Sequence, residues 1–108
     1  VTQDFYDKNP ETVEKLLRAL DKATNYINEH PEDAAKIIAK RINIDEKECL
    51  RIMQENKYTM QFDQQFVDGA NNMANFMLEM GNIKSVPNTN EYLDPTMLKK
   101  VAPDEVKL

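Results

Sequence analysis

Two prolines constrain this chain more than any other feature. Residues 9 to 45 read NPETVEKLLRALDKATNYINEHPEDAAKIIAKRINID, with Pro10 and Pro31 each followed by glutamate and a helical pattern. Proline suits a first helical turn, where its missing N–H has no partner to lose and its φ is already helical. The residue before a proline avoids the α region, so Asn9 and His30 are natural helix boundaries. Pro31 therefore ends one helix and opens the next with almost no loop between.

The first of these helices carries Val13, Leu16, Leu17, Leu20, Ala23, Thr24 and Ile27 at three- and four-residue spacings, one apolar stripe. Glu11 and Glu14 come early, as the helix dipole favours. The second places Ala34, Ala35, Ile38 and Ile42 on one face, and its alanines permit close approach of a neighbour. Asn43 closes it. Asp45 then caps a third helix, with Glu48 three residues on in capping-box spacing. Cys49, Leu50, Ile52 and Met53 form its face, and it frays around Asn56 and Lys57.

Tyr58 to Phe62 alternates and reads as an extended connector or an edge strand. Asp63 is the N-cap of a fourth helix with a wide apolar face: Phe66, Val67, Ala70, Met73, Ala74, Met77, Leu78 and Met80. Gly69 within it signals close packing of a neighbour, and Gly81 suits a left-handed C-cap. Residues 84 to 93 read as a polar loop. Asp94-Pro95 opens a short fifth helix through about Val101. Residues 1 to 8 begin β-compatible and turn polar, and the tail from Ala102 reads as loosely held. With only two glycines, a β-rich fold is disfavoured. The expectation is an all-α chain of about five helices, 1–108 forming a single helical segment.

Composition narrows function. The net charge of −5 is spread among interleaved acids and bases. Nucleic acid is excluded as a partner, since binding it needs a basic stripe to displace counterions. Lys40-Arg41 and Lys99-Lys100 are too short to supply one. No apolar run approaches the roughly 18 to 20 residues that span a bilayer. A start at Val1, without signal peptide or initiator methionine, reads as a mature product, an excised domain or a fragment. Cys49 is the only cysteine, so no internal disulfide forms.

Catalytic chemistry finds no set of residues. His30 is the only histidine, which rules out a histidine triad or a two-histidine metal site within the chain. At the helix junction it reads as structural. Cys49 sits mid-helix on an apolar stripe and reads as a small buried hydrophobe. Glu32-Asp33 and Asp45-Glu46 stand at helix starts, where the dipole explains them. No calcium loop or phosphate-binding glycine loop is present. Met73, Met77 and Met80, with Phe66 and Phe76 nearby, read as core, the other use of such a face being an adaptable groove. Tyr58, Tyr92 and Asn88 to Asn90 read as solvated loop residues able to touch a small ligand. The chain is thus expected to have no catalytic residues, no metal ligands and no cofactor.

Several stretches resemble one family, the solute-binding proteins of ABC importers, in the branch for nitrate, sulfonate, taurine and thiamin precursors. NPETVEKLLRALDKATNYINEHPEDAAKIIAK resembles the family's long helix, with its N-P-E opening and alanine-rich continuation. FDQQFVDGANNMANFMLEMGNIKSVP resembles a later helix closed by Met80-Gly81-Asn82-Ile83. EYLDPTMLKKV resembles the closing segment, where an aspartate-proline pair precedes a short helix. The resemblance runs over about residues 4 to 101. Met73 to Met80 departs from the leucine-rich pattern of the family.

The resemblance implies a C-terminal segment of one lobe of a larger, two-lobed α/β protein that closes on its ligand. It implies a parent that captures a small, often anionic, solute outside the cytoplasmic membrane, free or lipid-anchored, and hands it to a permease. It implies neither catalysis nor cofactor. The family's ligand loops lie mostly upstream, so no ligand-binding residue is carried over. Apolar stripes made to cover a sheet would be exposed here, and the chain is expected to self-associate or rearrange its helices. The alternative is an autonomous helical module gripping a partner through its methionine-rich face.

Overall fold

A computed structural model describes every residue, Val1–Leu108. The chain is essentially all-α: seven helices, one short 3-10 turn and a single pair of two-residue strands. In order these are α1 (Gln3–Lys8), α2 (Pro10–Glu29), α3 (Pro31–Ile42), α4 (Glu46–Gln54), β1 (Phe62–Asp63), α5 (Gln64–Glu79), α6 (Thr89–Tyr92), α7 (Thr96–Val101), a 3-10 turn (Pro103–Glu105) and β2 (Val106–Lys107). Its contacts group into two compact units, Arg18–Met60 and Val1–Leu17 with Gln61–Leu108.

The Arg18–Met60 unit is organised by the αα-hairpin of α3 and α4. His30 leaves the helical region (φ −131°, ψ 61°), as Pro31 requires, while its carbonyl still accepts from Ala34 N–H at 2.9 Å. α3 ends on Asn43 in the left-handed region (φ 59°), and Ile44 N–H reaches back to the Ala39 carbonyl at 3.1 Å. Lys40 and Arg41 lie in this last turn, where the dipole favours cations. Asp45 then caps α4, accepting from the Lys47 and Glu48 N–H groups at 3.0 and 3.1 Å. The reciprocal half of a capping box is missing, because Arg51 takes the Glu48 carboxylate in a two-point contact at 2.6 and 3.1 Å. Ala34, Ala35, Ala39, Cys49 and Met53 form the buried core, with Ile27, Ile38, Leu50 and Tyr58 packed on it. Small side chains on α3 let α4 approach closely.

The other unit is built around α5. Asp63 caps it, accepting from Phe66 N–H at 2.9 Å. Gly81 closes it at φ 77° in a Schellman arrangement, with Asn82 N–H to the Met77 carbonyl at 2.9 Å and Gly81 N–H to Leu78 at 3.0 Å. β1 pairs in parallel with β2, Phe62 opposite Val106 and Asp63 opposite Lys107. The tail is therefore held by strand pairing and the 3-10 turn that precedes it, against the expectation of a loose end. Lys100 of α7 meets Glu14 of α2 at 2.7 Å.

Two further elements differ from the sequence reading. Residues 3 to 8 are helical rather than extended: Thr2 accepts from Phe5 N–H at 3.2 Å, and the pairs Gln3–Asp7 and Asp4–Lys8 each bridge one turn. Those local bonds outweigh the β preference of Val1, Thr2, Phe5 and Tyr6. Within the expected polar loop, Asn88 caps the single turn α6 by accepting from Asn90 N–H at 3.1 Å.

Candidate functional site

No catalytic constellation assembles. His30 stands at the α2–α3 junction, its ring 5.1 Å from that of Tyr26. Cys49 is buried in the α3–α4 core, its nearest polar contact the Met53 sulfur at 3.9 Å. No three histidine, cysteine or carboxylate side chains converge as a metal cluster. Glu32-Asp33 and Glu46-Glu48 occupy first helical turns.

The structure does shape two grooves on α5. One is apolar: Ala70, Met73, Ala74 and Met77 face Ile83, Pro87 and Tyr92 across the chain turn after Gly81. The other mixes amide and apolar side chains, with Gln64 and Asn71 of α5 and Thr89 and Asn90 of α6 lining it beside Phe62, Val67, Leu93, Pro95 and Leu108. Sequence reasoning read Asn90 and Tyr92 as solvated loop residues able to touch a small ligand and missed Gln64 and Asn71. Their seven-residue spacing puts them on one helix face, a signal that means little until the facing loop is known. Tyr58 does not join either groove. Its side chain packs on the α3–α4 core, and its carbonyl accepts from the Asn28 amide at 3.0 Å.

Three carboxyl groups are held below the usual range. For Asp63 the first cause is the Gln61 side-chain amide, at 2.8 and 2.7 Å from the two oxygens, followed by Phe66 N–H. For Asp94 it is the Thr96 hydroxyl, then Thr96 N–H at 2.9 Å. For Glu48 it is Arg51. In all three the hydrogen bonds favour the charged form, and all three sit at or near helix starts. Local hydrogen bonds explain them without catalysis: the Arg51 ion pair for Glu48, the Gln61 amide and the α5 cap for Asp63, and Thr96 for Asp94.

The apolar surface is the unexpected part. Met73 and Met80 are 60% and 62% exposed rather than core, while Met77 is half-buried. Leu16 and Leu20 on the α2 stripe are 47% and 45% exposed. Gly69, expected to admit a packed neighbour, has nothing beyond the helix's own adjoining backbone within 4 Å of where its Cβ would stand. These faces were patterned for burial and are only partly covered within the chain, which buries Val13 and Ala74 but leaves the residues above exposed.

Residues 1–34 match a family model described as NMT1/THI5 like. The matched segment comprises α1, α2 and the first turn of α3. The match supports kinship of that segment with solute-binding proteins, a kind that binds and transports rather than catalyses. No curated protein and no solved structure matches the chain. Proteins of this kind typically work outside the cytoplasmic membrane, with a small-molecule ligand and an ABC transporter as partners, and no helix here is long and apolar enough to cross a membrane.

Proposed function

We propose that this chain is part of an extracytoplasmic solute-binding protein that delivers a small anionic solute, such as nitrate, a sulfonate or taurine, to an ABC importer permease. The match of residues 1–34 to the NMT1/THI5-like model carries the reading. Two structural features support it. The uncovered stripes on α2 and α5 are what helices laid against the sheet of a larger lobe would present. The β1–β2 pair is parallel, a geometry found almost only in α/β sheets with both faces clad by helices, and two strands of two residues are too few to stand alone. Residues 1–108 would then form a helical C-terminal part of one lobe, with the complete ligand site elsewhere in the parent. The encoding gene tests this. A reading frame that precedes Val1 and carries a signal peptide and further α/β sequence is expected; a start codon close to Val1 would sink the proposal.

A second reading rests on the exposure of Met73, Phe76 and Met80. An autonomous helical module would use that flexible, polarizable face to hold a partner helix. A start codon close to Val1 favours this reading.

A further inference from the structure

α5 carries a second apolar pattern beside the face it packs with. Phe66, Gly69, Met73, Phe76 and Met80 follow a strict 3-4-3-4 spacing, the a and d positions of two heptads. All five are exposed, Phe66 by 43% and Phe76 by 56%. The side chains buried or half-buried on α5 lie at other positions: Val67, Ala70, Asn71, Ala74 and Met77. The stripe is thus a largely open coiled-coil seam, touched within the chain at one end where the Phe62 ring lies 5.4 Å from that of Phe66, and it borders the methionine-lined groove at Met73.

We propose that this seam is the contact face for α5 of a second copy of the chain, packed antiparallel about a two-fold axis midway between Gly69 and Met73. The pattern is complementary to itself in that direction. Antiparallel seams place a opposite d, which sets Phe66 against Phe76 of the second copy and Gly69 against Met73. The large thioether fills the space over the glycine, where nothing beyond the helix's own adjoining backbone lies within 4 Å of a Cβ position. A parallel pair would stack Gly69 on Gly69 and leave a void, and would align the two helix dipoles unfavourably. The flanking positions agree. Gln65, Asn72 and Glu79 border the seam on one side, so Asn72 meets Asn72, Gln65 meets Glu79, and no like charges face each other. Such an arrangement is an isologous, closed contact. Four layers on one helix bury less than the roughly 1,200 Å² of a standard stable interface, so the dimer is a weak one. The inference rests on α5 alone and concerns the 108-residue chain, in which no sheet of a larger lobe covers that stripe.

Sedimentation of the 108-residue chain across a concentration series, up to a concentration on the order of 1 mM, tests it. The mass is expected to rise from 12.5 kDa towards twice that value. Met73→Lys, on an exposed site that leaves the fold intact by circular dichroism, should keep the chain monomeric throughout. Ile37→Lys, at an equally exposed site on α3, should dimerise like the parent chain. Spin labels fix the direction, since buried Cys49 leaves an introduced cysteine as the reactive one. A label at Asn72→Cys should give a short inter-copy distance, whereas labels at Gln65→Cys should lie roughly 20 Å apart along the helix axis, the rise of about 14 residues. A chain that stays at 12.5 kDa, a Met73→Lys variant that dimerises normally, or short distances at both labels would overturn the proposal.

Discussion

Phe62 and Val106 stand opposite each other in a parallel strand register, joining the segment just before α5 to the last residues of the chain. This pairing holds a tail that local sequence leaves without structure. It also creates a parallel sheet too small to satisfy itself. Both consequences can be tested.

Deleting Val106–Leu108 removes the partner of β1. The loss of one or two ladder hydrogen bonds, each contributing about 0.5–1.5 kcal/mol, should destabilise the Gln61–Leu108 region by about 1–2 kcal/mol. Hydrogen exchange should show faster exchange at Phe62 and Asp63 with protection in α3 and α4 unchanged. Unchanged exchange at Phe62 would mean the pairing is not populated in solution.

The two glycines should respond in opposite directions to alanine. Gly81 sits at φ 77°, where a Cβ strains the backbone, so Gly81→Ala should cost about 1–2 kcal/mol. Gly69 lies inside α5 with open space around the Cβ position, so Gly69→Ala should gain about 0.5–1 kcal/mol in dilute solution. Thermal melts of the two variants decide this, and a destabilising Gly69→Ala would point to a neighbour packed at that site.

Acid should loosen the start of α5. The Asp63 carboxyl is held low by the Gln61 amide and then by Phe66 N–H, whereas in the unfolded chain it titrates near its usual 3.8. Its stabilising contribution is therefore complete above that value and is lost as pH falls through the lower folded value. Carboxyl chemical shifts should show a midpoint for Asp63 below the usual value, and Gln61→Ala should raise it. A midpoint that does not move in Gln61→Ala would remove the amide as the main cause.

The α3–α4 hairpin should be sensitive to lost volume. Met53 is 6% exposed and lies in the core with Cys49 and the alanines of α3. Met53→Ala should cost about 2–5 kcal/mol through lost burial and the cavity left behind. Ala35→Leu should cost about 1–3 kcal/mol by forcing the helices apart. Denaturant midpoints measure both, and a neutral Ala35→Leu would show that the interface is looser than described.

What was legible in the sequence was mostly local. Pro10 and Pro31 mark helix starts because proline acts through its own φ and missing N–H. Asn43, Asp45, Asp63 and Gly81 mark ends and caps because their roles involve atoms two to five residues away. Cys49 was legible as buried because it lies on a stripe. What escaped depended on more distant or competing contacts. α1 forms because a Thr2 cap and two side-chain pairs override β-forming residue types. β2 is invisible without its partner at Phe62. The burial of Met73 and Met80 was misjudged because periodicity shows that a face is apolar, not what covers it. Gly69 was misread for the same reason. The apolar groove is half legible, through the α5 pattern alone, and the amide-lined groove only through Asn90.

The most direct measurement is calorimetric titration of the full product of the encoding gene with nitrate, taurine, an alkanesulfonate and a pyrimidine thiamin precursor, beside the isolated 108-residue chain. The solute-binding reading predicts saturable binding of one of these by the full product and none by the isolated chain, whose two α5 grooves are lined by no charged side chain. A full product that binds none of them, or that proves to be no longer than this chain, would contradict it.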